Sequence, residues 1–491
     1  LSIKPLEFGE WLPDQPPIGN TGLTVAKNCI PWARGYKSLN TISAYSGAIT
    51  ARCQGAFSGI DDTNNVNDFA GDATKLYKLT DVTWGDVSGT TYSAQEVDTW
   101  NFTQFGQRVL ATNFTDPIQN FTLGTSTVFA DLAAGAPKAK YITNSRNFVF
   151  AGYTNDAVDG IKPAKLIWSA LGDSTDWTAS VTTQSDFQYL NEESGPITGV
   201  VGGEFLTVFQ DRAITRADYV GPPTIWNFDE VSSNLGCSVP NSIVQRGQDI
   251  YFLSSEDFYV FSASGIRPLG AQRIAKWFYS TFNQTYQHRM SSAVDPINSL
   301  IMWSFPSVLS ASGTPDTILI YNWILDRWSY AEIDHDLIYR SLSKGYTLEG
   351  LDAISASLDA ITLSLDSRAW AGGKLLLSAF TTDFKLAFFT GTALTAQLDT
   401  GDFMPRTGKT SHLRRVRPIV DGDNAVVTVQ HAGQNKPTDS VTFSTAVAPN
   451  DTTGNTGLRK KARYHRLRFN ISGGFDHAQG YEVDSSVLGH R

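Results

Sequence analysis

Leu300-Ile301-Met302-Trp303, then Leu319-Ile320-Tyr321-Asn322, then Asp326-Arg327-Trp328: two apolar runs of strand type are followed by a tryptophan just beyond a polar turn. The unit recurs as Leu76-Tyr77 before Trp84, Leu166-Ile167 before Trp177 and Ile214 before Trp226. Further apolar runs lie between these units: Val109-Leu110, Phe148-Val149-Phe150, Leu206-Thr207-Val208-Phe209 and Ile250-Tyr251-Phe252-Leu253. Most open on a tight-turn pair such as Gly106-Gln107, Gly203-Glu204 or Gly247-Gln248. Taking Val109, Phe148, Leu206, Ile250 and Leu300 as equivalent gives steps of 39, 58, 44 and 50 residues, the period of a four-stranded propeller blade. The expected fold is therefore all-β, with a β-propeller of about six blades over residues 51–345. A blade buries its faces only against its neighbours, so the tryptophans are expected to wedge between blades and not to stack on ligands.

Composition agrees with this reading. The chain has 491 residues, 41% hydrophobic, 12% aromatic and 18% charged, with 41 glycines, a mixture that suits many short strands joined by tight turns. Cys29, Cys53 and Cys237 are far apart in sequence and odd in number, so no disulfide framework is expected and assembly in a reducing cytoplasm fits. No apolar run is long enough for a transmembrane helix, and the first 20 residues, with charges among prolines, do not read as a secretory signal. Net charge is −9, unevenly spread: residues 401–491 carry 13 Lys/Arg against 8 Asp/Glu (+5), leaving 26 against 40 (−14) for residues 1–400. An acidic body repels nucleic acid, and a basic end can face an acidic partner.

Three segments depart from the repeat. Residues 1–50 open with Trp11-Leu12-Pro13-Asp14-Gln15-Pro16-Pro17 and read as an extended arm lying on another surface, with Trp11 and Leu12 as candidate interface residues. Residues 346–372 place Leu348, Leu351, Ile354, Leu358, Ile361 and Leu365 at steps of three or four, which predicts a helical linker or insertion. Its apolar face makes Leu351, Ile354 and Leu358 candidate contacts. Residues 373–491 return to short strands separated by Gly, Asp and Asn turns and are expected to form a sandwich-like C-terminal β domain, some strands of which could complete the propeller.

Signatures of catalysis are absent from the sequence: no P-loop, H-E-x-x-H, G-x-S-x-G or EF-hand loop occurs, and the seven histidines are at least 11 residues apart. No enzyme activity, metal or cofactor is expected. Ser169 to Trp177 resembles the Asp-box turn of sialidase propellers and Ile320 to Trp328 a kelch-type blade end, in both cases a structural likeness. A glycan-cleaving propeller would need arginines and carboxylates clustered at its mouth. Arg108, Arg146, Arg212, Arg246 and Arg267 sit at varied strand positions and define no such cluster. The remaining candidates are basic: Arg414, Arg415 and Arg417, and Arg459, Lys460, Lys461 and Arg463. Alternation in Arg415-Val416-Arg417 puts charge on one strand face, open to solvent, to an acidic protein rim or to a phosphate backbone.

The arm Gly9-Glu10-Trp11-Leu12-Pro13-Asp14-Gln15-Pro16-Pro17-Ile18-Gly19-Asn20 with Leu23 to Pro31, together with Gly35 to Leu39, Phe69 to Tyr77 and Thr347 to Trp370, resembles the tail nozzle (tail hub, packaged-DNA stabilization) proteins of short-tailed bacteriophages. That resemblance implies a structural virion protein, assembled in the host bacterial cytoplasm, that forms a hexameric ring of identical subunits below the portal and adaptor proteins. DNA passes through the ring in transient, non-specific contact, and the ring supports fibres, spikes or the tail tip. The alternatives are a glycan- or receptor-binding propeller and, further off, a propeller glycoside hydrolase.

Overall fold

The computed structural model describes residues 5–343, 373–405 and 408–487, and the chain is almost entirely antiparallel β. Five four-stranded sheets and the first four strands of a larger sixth follow in order, each pairing its strands in sequence. They run from Gly55–Ile60 to Thr83–Asp86, Asn101–Phe105 to Ala130–Asp131, Lys138–Ser145 to Asp186–Tyr189, Ile197–Val201 to Ile225–Ser232, Val244–Arg246 to Gly265–Pro268 and Ser291–Asp295 to Arg327–Glu332. A seventh takes Leu337–Leu342, Leu375–Phe380 and Lys385–Phe388 and is completed by Ser43–Ala48 from the other end of the chain. The first strands of the sheets adjoin one another, and that of the seventh meets that of the first, so the arrangement is propeller-like and returns on itself.

The expected count of about six falls one short, for a physical reason. Sheets two to six place Val109, Phe148, Leu206, Ile250 and Leu300 in their second strands, as the spacing predicts. The seventh sheet escapes the periodicity because its outer strand precedes the repeat and its first hairpin is interrupted by residues 344–372. Leu351, Ile354 and Leu358 lie outside the described residues. The flanks of that interruption close on each other, Gly373 N–H donating to Ser343 O at 2.7 Å and Leu342 pairing with Leu375.

Tryptophans do fill the seams. Trp226 of the fourth sheet packs edge-on against Phe148 and Phe150 of the third, with ring centroids 5.6 and 5.0 Å apart. Trp328 and Trp303 of the sixth meet Phe258 of the fifth at 5.6 and 4.7 Å, and Trp84 of the first meets Phe380 of the seventh at 5.7 Å. Between the first and second sheets Trp100 donates to Asp72 O at 2.8 Å and presses on Gly71, where an added Cβ would lie 2.4 Å from the indole. Glycine is required there.

Strand pairing crosses the boundaries expected near residues 50 and 373. The sixth sheet continues through Leu23–Lys27 into Ala396–Thr400, Tyr464–Ser472 and Val426–Gln434, making eight strands. Against this extension packs a second sheet of Cys29–Trp32, Gly35–Ser38, His477–Val487, Ser411–Asp421 and Thr456–Ala462, with Pro5–Glu7 alongside. The sandwich is thus built from both chain ends. Its core, with Phe8 T-shaped on Phe469 at 5.1 Å, is continuous with the apolar interior of the fifth and sixth sheets.

Candidate functional site

The arm is tied down within its own chain. Trp11 is fully buried, its indole N–H donating to Thr24 O at 3.2 Å and its ring packed on Trp277 and Tyr330, which corrects the expectation that it faces a partner. The surface that buries it, Trp277 on the helix Ala275–Thr281 and Tyr330 of the sixth sheet, is more than 250 residues away in sequence, so nothing local to the arm shows that it docks on its own chain. Leu12 is half-buried and its backbone N–H donates to Leu23 O at 2.8 Å. The Asp14 carboxylate accepts from Lys276 N and Trp277 N, both at 2.8 Å, capping the helix Ala275–Thr281 from outside.

The basic residues come together on the outer sheet of the sandwich. Ser411–Asp421 pairs with Thr456–Ala462, so His412 faces Lys461 and Leu413 faces Lys460, and a bulge at Arg414 leaves both Arg414 and Arg415 exposed. Val416 between them is fully buried, as the alternation predicts. The neighbouring strand answers part of this charge: Arg415 bonds Asp484 at 3.0 Å and Arg417 lies 4.0 Å from Glu482. Among the described residues Arg414, Arg459, Lys460, Lys461 and Arg463 make no ion pair; Arg463 instead lies over the Tyr464 ring at 5.7 Å. Arg466 and Arg468, in the same run of sequence, are consumed internally by the buried carboxylates Asp402 and Asp399, with contacts of 2.7 to 3.1 Å.

The sandwich interior also joins three residues distant in sequence. His465 Nε2 lies 2.8 Å from Ser411 Oγ and its Nδ1 2.8 Å from His431 Nε2. The set has the order of a nucleophile relay, but Ser411 and His465 are fully buried and His431 nearly so. Burial drives His431 down to about 3 and His465 down to about 4, so both are neutral. It is a packed polar network.

A second gathering of charge, which sequence reading missed, sits on the axis of the propeller-like body. A cavity of about 250 Å³ is lined by first-strand residues of six sheets, including Gly55, Asn101, Tyr141, Thr198, Ser291 and Ile338, and by Ile243 just before the fifth. Arg52, His288, Arg289 and Asp336, each within three residues of a first strand, gather with Glu96 beside the lining residues Gln54, Met290 and Leu337, outside the lining itself. Arg289 pairs with the half-exposed Glu96, and His288 Nε2 lies 3.8 Å from the same carboxylate. Asp336 is pushed up to about 6 by burial, against the opposing pull of Arg52 and Arg289. The five arginines singled out from sequence are elsewhere, on the second to fifth sheets; Arg108, Arg146 and Arg212, for example, are held by Ser174 Oγ, Glu204 O and Glu193 O. The residues of this charge cluster carry no local motif, and only ring closure brings them together. Among the described residues no cluster of His, Cys, Asp and Glu suits a metal ion. No described helix is long and apolar enough to cross a membrane.

No family model and no curated protein matches the chain. Among solved structures it is similar to the extracellular domain assigned to a one component system of B. thetaiotaomicron, at 9% identity and a TM-score of 0.41, over 84% of this chain and 46% of that one. The chain thus spans less than half the length of that relative. It is also similar to the computationally designed Ika8 protein, at 11% identity and a TM-score of 0.33, over 72% of this chain and 99% of that one.

Proposed function

We propose that this chain is a structural subunit of a homo-oligomeric ring of the tail nozzle type, a seven-bladed propeller body carrying a sandwich through which neighbouring copies and adaptor or fibre proteins dock. The observation that carries the reading is the outer sandwich sheet. Arg414, Arg459 and Lys461 are exposed and without a carboxylate partner in the described chain, while residues 1–400 carry a net −14. A basic face and an acidic flank on one molecule favour head-to-tail contacts, and such contacts close into rings when the rotation permits. The axial cavity admits only a small molecule. DNA would therefore run between subunits, along acidic walls that limit phosphate binding.

Negative-stain imaging and mass photometry of the purified chain, alone and with portal and adaptor proteins, test this. Rings of six copies are expected at low ionic strength, weakened by salt and abolished by R414E/R459E/K461E. A monomer under every condition would refute the proposal.

A further inference from the structure

The buried clusters between neighbouring sheets hold tryptophan at five seams: Trp100, Trp177, Trp226, Trp328 and Trp84. The clusters between the fourth and fifth sheets and between the sixth and seventh contain none among the described residues. One position accounts for the first of these. Trp84, Trp226 and Trp328 are each the second residue of a fourth strand, and each packs on the preceding sheet. The fifth sheet has Ile266 there. The cross-strand pairs correspond, with Tyr219 opposite Trp226, Tyr321 opposite Trp328 and Phe261 opposite Ile266. At Phe261 a cleft of about 350 Å³ opens between the fourth and fifth sheets, walled by Val201, Phe205 and Thr207 on one side and Ile250, Phe261 and Gly265 on the other. Equivalent seams are filled by an indole ring, and this one is left open.

The chemistry of the walls selects a neutral aromatic group. Phe205 and Val231 are 38% and 42% exposed, so apolar surface faces solvent at the mouth, while Ile250 is buried. Arg216 also lines the cleft but is answered by Asp218 at 3.0 Å, which leaves no unpaired cation to draw an anion. Its guanidinium lies over the Phe205 ring at 3.5 Å, a flat pair on which a further planar ring stacks better than a saturated one. No hydrogen bond is required of the occupant: Trp226 Nε1 and Trp328 Nε1 are buried without a partner among the described residues, so these seams hold an indole by packing. An apolar cavity of about 150 Å³ is enough for benzene. A cleft of about 350 Å³ accommodates a bicyclic ring.

We infer that the cleft between the fourth and fifth sheets binds one neutral aromatic group of indole size, seated where the neighbouring seams carry tryptophan. The inference does not depend on oligomeric state. Methyl NMR of the full chain labelled at Ile and Val, titrated with indole and with cyclohexanol and indole-3-acetate as controls, tests it. Indole is expected to shift Val201, Val231, Ile250 and Ile266 saturably, half-complete at about 1 mM or below, and to bind about fivefold or more tightly than cyclohexanol. Indole-3-acetate should bind no better than indole. I266W places a ring where the other sheets have one and should abolish the shifts, with the unfolding midpoint retained or raised. Should I266W not fold, T207F closes the cleft from the opposite wall and the same loss is expected. R216Q, which leaves the apolar walls intact, should weaken binding about threefold. N-acetyl-L-tryptophanamide separates the sources: binding equal to indole indicates a tryptophan side chain of a partner, and weaker binding a free ligand. Absence of shifts up to about 5 mM indole, shifts that spare Val201 and Ile250, equal binding of cyclohexanol, or unchanged affinity in folded I266W or T207F would overturn the assignment.

Discussion

Replacing Trp226 by alanine tests whether the inter-sheet seams hold the body together. Trp226 is 2% exposed and is shared between sheets, touching Phe148 and Phe150 across the seam and Tyr219 at 5.5 Å within its own sheet. A buried tryptophan removes roughly 200 Å² from water, which at about 25 cal/mol per Å² is worth ~5 kcal/mol against an extended reference. Partial collapse of the surrounding rings reduces the net cost to about 3–5 kcal/mol, the range of Trp-to-Ala changes in cores. Trp32 is the internal control. It is 40% exposed on the sandwich, with Lys37 over its ring at 5.3 Å, so W32A should cost about 1 kcal/mol or less. Urea unfolding followed by far-UV circular dichroism measures both, and an unchanged slope would show that native and denatured states are comparable. The reasoning fails if W226A costs under about 1 kcal/mol or no more than W32A, because the seam tryptophans would then be replaceable filler.

Removing the long-range cap with D14A should destabilise the helix Ala275–Thr281 by about 0.5–2 kcal/mol, detected as faster amide exchange at Lys276 and Trp277. R468M strands the Asp399 carboxylate, 3% exposed, and should cost about 3–5 kcal/mol by chemical denaturation, well beyond K27M at the surface pair with Glu332. His335 is fully buried between Ser304 and Ile333 O, and burial drives it down to about 4. Its neutral form is native, so its contribution is complete above pH ~6.5 and is lost as pH falls towards ~4, where the unfolded chain takes up a proton that the native chain refuses. H335Q should accordingly flatten the acid limb of the stability curve by up to about 3 kcal/mol at pH 4, and identical acid limbs would refute the assignment. Asp336, raised to about 6 by burial, has the opposite sign: its burial penalty is present above pH ~6 and relieved below it, so D336N should stabilise the chain at pH 8 and change little at pH 4.

Strand identity and the tryptophan seams were legible because they are local signals. Val109, Phe148, Leu206, Ile250 and Leu300 each fall in the second strand of a sheet, and Trp84, Trp226 and Trp328 each follow an apolar strand run by eight to twelve residues. The seventh sheet was not legible, since nothing in Ser43–Ala48, a polar and small-residue strand, announces a partner at Lys385–Phe388. The basic sheet was found because charge clusters in sequence. Its division into cations answered by Asp484, Glu482, Asp402 and Asp399 and cations left exposed depends on cross-strand register, which sequence does not carry. The charge cluster beside the axial cavity escaped for the same reason: Arg52, Arg289 and Asp336 are single charges in loops, made neighbours only by closure of the ring.

The strand Ser43–Ala48 also sets a clock on synthesis. Ala48 pairs with Lys385, 337 residues later in the chain, so at roughly 5–20 residues per second it waits on the order of 20–70 s for a partner. Until then the nascent body is an open arc with two unfilled edges, and Leu23–Lys27 waits longer still for Ala396–Thr400. A ribosome that stalls before about residue 400 leaves a product with exposed strand edges, suited to chaperone capture and degradation. The closing strand thus acts as a length check: only chains read through to the sandwich can complete the seventh sheet.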